Sequence, residues 1–152
     1  MNDWLLSIGS FFAGVAVTYL FRSFFLIFEE RNKRFDEICE LISATADIGS
    51  EYWLLDGREK EDEAELKEAQ LIGKQYKIQA FLSHLSDDFW VATSPSENEY
   101  LVFADALTGG AFQVKFRPKD KPRSIAVQQT ASELVISIRS AKRIHLTSLL
   151  PF

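Results

Sequence analysis

The chain has one cysteine, four prolines and two histidines among 152 residues, and no lysine or arginine before Arg22. A lone cysteine, Cys39, excludes an internal disulfide, and its place in an amphipathic stretch reads as a small buried hydrophobe. Sparse proline leaves long segments open to helix. His84 is followed by Asp87 and Asp88, but no second His or Cys stands near enough to complete a ligand set, so neither a metal nor another cofactor is expected. Gly-rich phosphate loops, a dinucleotide fingerprint and a nucleophile elbow are all missing. These absences point away from catalysis. The missing basic leader, with no small-x-small site after the apolar run, points away from a cleaved signal peptide.

What the chain has in excess is phenylalanine, 13 residues, crowded toward the N-terminus. Trp4–Phe21 is a run of 18 uncharged and mostly apolar residues. As a helix it measures about 27 Å, against a hydrocarbon core of roughly 30 Å. Trp4 and Tyr19 suit the two interfaces. Arg22 can snorkel, which lets the span extend through the apolar run Phe24–Phe28. The sequence therefore predicts a transmembrane anchor over 1–28. Only Asp3 and the amino terminus precede it, whereas Arg22, Arg31, Lys33 and Arg34 follow, which sets an N-out, C-in orientation in the inner (plasma) membrane. Ser10, Gly14 and Thr18 recur every fourth residue, a small stripe along which two spans can approach closely.

From residue 29 to 152 the pattern predicts an all-α cytoplasmic domain, a bundle of about four helices. Glu29–Asp56 carries Ile38, Leu41, Thr45, Ile48, Tyr52 and Leu55 on one face and continues the anchor without a break. Gly49 is a weak point within it. Asp56-Gly57 ends it. A second helix, Glu59–Leu85, begins with a run of acidic residues and has Leu66, Ala69, Gly73, Tyr76 and Ala80 at spacings of three and four. Those residues are expected to face the preceding helix in an antiparallel hairpin. A short helical turn is expected around Phe89–Ala92. Ser94-Pro95-Ser96-Glu97 has the form of a capping box opening a helix that stops at Thr108, before Gly109-Gly110. Phe112, Val114 and Phe116 alternate with polar residues as one short extended segment. The last helix is expected from Ser124 to Leu150, with Val127, Ala131, Leu134, Ile138, Ala141 and His145 facing inward.

Lys115, Arg117, Lys119, Lys121 and Arg123 alternate along the connection into that last helix. Such a row suits an anionic ligand: a lipid headgroup, RNA, another phosphate-bearing molecule or an acidic protein surface. The acidic run Glu59–Glu68 is a second candidate partner, within one chain or between protomers.

Arg139 and His145, with five residues between them on one helix, resemble the Arg-x(4–6)-His motif of HEPN-type ribonucleases. The resemblance implies metal-independent RNA cleavage at a dimer interface. It covers one spacing, and Ser140 stands where that family usually has a more strongly polar residue. His145 as a half-buried polar residue at a helix end is the plainer reading.

These features converge on a single-pass membrane protein, not an enzyme, that oligomerises and senses or docks a protein partner through its helical bundle. One version is a membrane-disrupting effector in antiviral defence or a toxin system, by architectural analogy. The alternatives are a non-catalytic anchoring subunit or adaptor, and a membrane-tethered HEPN-like ribonuclease.

Overall fold

A computed structural model describes the backbone of residues 3–89 and 94–148, and the side chains of 14–15, 17–84 and 97–141. Four helices follow one another: α1 Asp3–Leu54, α2 Glu61–Phe89, α3 Ser94–Thr108 and α4 Lys121–Ser148. The all-α expectation holds. Two compact units divide the chain, residues 1–36 and 37–152.

In the first unit α1 is uninterrupted helix. From Val15 to Ile27 its described large apolar side chains are exposed, Phe21 by 74% and Tyr19 by 72%. The Thr18 hydroxyl donates to the Gly14 carbonyl at 2.8 Å, so this polar group is satisfied by its own helix. Among the described residues no stretch of helix is both long and apolar enough to cross a membrane. The side chains of 1–13 and 16, on which the expected span Trp4–Phe21 mainly rests, lie outside them, as does Ser10 of the small stripe.

The second unit is built around the C-terminal half of α1. Ile38, Cys39, Ile42, Thr45, Ala46, Tyr52 and Trp53 are buried, a face close to the expected one. At Gly49 side chains of the three other helices converge on α1. A Cβ there would stand 2.5 Å from Leu107 Cδ2 in α3, 3.2 Å from Val127 Cγ1 in α4 and 3.8 Å from Leu71 Cδ2 in α2. The residue that weakens α1 as a helix is thus the one that lets three others converge on it. In α4, Val127, Ala131, Leu134 and Ile138 are buried as expected, while the His145 side chain lies outside the described residues.

Three expectations are corrected. First, α2 buries the opposite face: Ala64, Leu71 and Ile78 point inward, while Leu66 (61% exposed), Ala69, Gly73, Tyr76 (71%) and Ala80 lie on the surface. Leu71 is on the arc that meets α1, its Cδ2 3.8 Å from a Cβ built on Gly49, and burial of Leu71 and Ile78 holds that arc inward. Second, the described residues contain no strand. Gln113 and Phe116 both have φ of 60°, left-handed backbone that an extended segment cannot hold, so 111–116 folds as turns. Third, α4 begins at Lys121 rather than Ser124. Asp120 is its N-cap: Oδ1 accepts the Arg123 N–H at 3.0 Å, and its carbonyl accepts Ser124 N–H at 3.1 Å. Pro122 sits in the first turn, where its missing N–H costs nothing. The helical turn expected at Phe89–Ala92 falls largely on residues outside the described ones.

Candidate functional site

The basic row from Lys115 to Arg123 lies in the α3–α4 connection, and its members have different fates. Arg117 is 2% exposed. Its guanidinium carbon stands 3.8 Å from the centre of the Tyr52 ring and 5.0 Å from that of Trp53. Its Nη2 donates to the Tyr52 carbonyl and its Nη1 to the Leu55 carbonyl, the latter at 3.4 Å. These carbonyls belong to the open C-terminal end of α1, whose last turn contains no basic residue. A cation arriving from elsewhere in the chain therefore meets the negative end of the helix dipole and the faces of two aromatic rings together.

Arg123 does the same for α3, whose last turn also lacks a basic residue. Its Nε donates to the Ala106 carbonyl at 3.1 Å and its Nη2 to the Asp105 carbonyl at 2.6 Å, with its guanidinium carbon 4.7 Å from the Trp53 ring centre. Gly109 and Gly110 clear the way. A Cβ on Gly109 would stand 2.5 Å from Arg123 Nη2, and Gly110 has a φ of +61° with the same guanidinium against it. Trp53 completes the junction by donating from Nε1 to the Leu107 carbonyl at 3.1 Å, while its own carbonyl accepts Asp120 N–H at 2.8 Å. At Gly57 the chain passes close to Arg117, whose carbonyl accepts the Gly57 N–H at 3.1 Å.

Lys115 reaches outward to Glu61, Nζ to carboxylate 2.9 Å, so the basic row and the acidic start of α2 do meet within one chain. The Glu61 hydrogen bond and charge raise the Lys115 pKa above its ordinary value. Gln113–Arg117 and the α2 residues Glu61, Ala64, Glu65 and Glu68 line a narrow cleft between them. At its inner end the Tyr52 hydroxyl donates to Glu68 at 2.8 Å and accepts Gln113 N–H at 3.2 Å. Burial, the largest influence, pushes the Tyr52 phenol above its usual value. Lys119 and Lys121 are exposed, and neither forms an ion pair among the described residues. The five residues are thus contiguous in sequence but divided in role: two arginines close the fold, one lysine pairs with α2, and two lysines are left for an external anion.

No family model matches this chain. No curated protein and no solved structure matches it either. Its chemistry has to be read from its own residues.

Among the described residues no group of His, Cys, Asp and Glu is arranged to hold a metal ion. His84 is exposed; the side chains of Asp87 and Asp88 lie outside the described residues. Arg139 is exposed on α4, and its counterpart in the ribonuclease-like spacing, His145, is likewise outside them. Sequence reasoning missed the aromatic half of the junction, Tyr52 and Trp53. A signal was available in the choice of cation. Arginine at 117 and 123, lysine at 115, 119 and 121 separates residues that stack and bind carbonyls in a fixed fork from those that stay hydrated.

Proposed function

We propose that this chain is a single-span membrane protein that self-associates and uses its helical domain to sense or dock a partner on the cytoplasmic side. The observation that carries this reading is the belt of large apolar side chains exposed on consecutive turns of α1, from Val15 through Ile27. That belt overlaps the uncharged run Trp4–Phe21, and together the two sequences offer no broad polar face for water. Lipid is the environment that matches it. Thr18, bonded to its own helix, can sit there without an unsatisfied hydroxyl. The positive residues after the span support the N-out, C-in orientation.

Self-association of the spans is proposed along Ser10, Gly14 and Thr18. A Cβ on Gly14 meets nothing within 4 Å in its own chain, so that surface is open to a neighbour. A gathered set of spans fits a membrane-disrupting effector triggered through the domain, and this is the version we favour. The test is extraction from native membranes in mild detergent, followed by measurement of particle mass and protein content. A homo-oligomer that Gly14→Leu reduces to a smaller particle is the expected result. A monomer, or a particle whose mass is unchanged by Gly14→Leu, would count against the stripe, and an alkaline wash that strips the protein from membranes would remove the anchor itself.

A further inference from the structure

The surface that the fold leaves unpartnered on α2 has an internal symmetry. Asp62, Leu66, Ala69, Gly73, Tyr76 and Ala80 form one exposed line, spaced four, three, four, three, four. That spacing reads the same in both directions. Laid against a second copy running the other way, Ala69 meets Gly73, Leu66 meets Tyr76, and Asp62 meets Ala80. The charges beside the line are not symmetric along one helix but become complementary across two. Asp62 and Glu63 stand at the N-terminal end and Lys77 at the other, all exposed; Glu63 pairs with Lys60 of its own chain at 2.9 Å, an exposed pair that leaves its second carboxylate oxygen for a partner. Reversal places Glu63 of one copy beside Lys77 of the second, twice per pair. A parallel pair would instead stack Lys77 on Lys77 and Glu63 on Glu63.

We propose that α2 is a homodimer interface, in which two copies pack antiparallel along Leu66, Ala69, Gly73 and Tyr76 about a two-fold axis. The central contacts are small, and nothing stands within 4 Å of a Cβ built on Gly73, so the two backbones can approach closely there. The outer contacts are large: Leu66 and Tyr76 of each copy reach across to each other and cover the apolar surface that each chain leaves exposed. The interface is isologous, as a closed two-fold pair requires. This deepens the self-association reading by giving the helical domain its own contact, distinct from the spans.

The experiment uses the full chain in mild detergent and cysteine cross-linking. Leu66→Cys and Tyr76→Cys are prepared separately, and wild type controls for Cys39, which is buried. In the antiparallel pair, Leu66 of one copy is about 15 Å along the helix axis from Leu66 of the other but directly beside Tyr76. The two variants mixed should therefore cross-link as a heterodimer, while either alone should give little product. Lys77→Glu should lower the yield of the mixed reaction several-fold. Combining Lys77→Glu on one copy with Glu63→Lys on the other should restore it, because both ionic pairs are then re-formed. No product from the mixture, strong self-cross-linking of Leu66→Cys alone, or capture of a different co-purifying protein at these positions would each overturn the proposal. Repeating the reaction in Gly14→Leu separates the two contacts: product that persists while the particle mass falls leaves this interface standing beside the span stripe, and unchanged mass with product present removes the stripe alone.

Discussion

Arg117 shows how much of this fold hangs on single side chains. It is a buried cation whose hydrogen bonds go to carbonyl oxygens at the end of α1, with aromatic rings against its faces. Removing it takes away both guanidinium bonds and leaves the Tyr52 carbonyl with only the Leu55 N–H, and Arg117→Ala should cost about 3 kcal/mol, read from urea unfolding. Lysine cannot rescue it, because a point charge can neither stack nor fork between two carbonyls. Lys115 is the contrast: its pair with Glu61 is solvent-exposed, and Lys115→Gln should leave the unfolding midpoint unchanged within error. Tyr52 gives a pH signature. Its phenol pKa is raised in the folded chain, chiefly by burial, so the neutral form is favoured there. The corresponding stability is fully present below about pH 10, the ordinary tyrosine value, and is lost as pH rises through the raised one. Alkaline titration followed by tyrosinate absorbance should show a late component that Tyr52→Phe reduces, the remainder belonging to Tyr100, whose phenol is also raised by burial.

Among the helices, two glycines make opposite predictions although both lie in helix interiors. Gly73 is in open space, so Gly73→Ala should stabilise the isolated domain fold by about 1 kcal/mol through helix propensity alone. Gly49 is wedged among Leu107, Val127 and Leu71, and Gly49→Ala should lose about 1 kcal/mol net, because overpacking outweighs the same gain in propensity. Thermal unfolding of both variants checks the two signs together. Much at this scale was legible in the sequence. The inner faces of α1 and α4 follow from periodicity, and Gly109-Gly110 marks the end of α3. α4 starts three residues before the expected Ser124 because Asp120 supplies its cap. α2 was read on the wrong side because it has two apolar arcs, and spacing alone does not say which one a neighbour will cover. The surface arc is also the better-spaced one, which is what made it look like a core.

For the molecule as a whole, apolar spacings of three and four point to the helical class, and the N-terminal run points to the anchor that is proposed here. The basic row looked uniform because a sequence lists charges without saying where they end. Folding sorts them: carbonyls hold Arg117 and Arg123, Glu61 holds Lys115, and Lys119 and Lys121 form no ion pair among the described residues. An anion that binds this segment should therefore lose affinity when both are changed to Gln. Changing Arg117 or Arg123 should instead show up first as lost stability, measured by circular dichroism before any binding assay.

The long reach of that junction has a consequence for the order in which the protein is made. The partners of Arg117 are 62 and 65 positions earlier in the chain, and Asp120 N–H closes on Trp53. On the ribosome, the N-terminal segment and all of α1 emerge first, and α1 has no cation at its C-terminal end until the residues just before α4 follow it out. A nascent chain whose residue 117 is still inside the ribosomal tunnel should therefore hold a frayed α1 end, open to protease at Tyr52–Leu55, and emergence of that residue should close it.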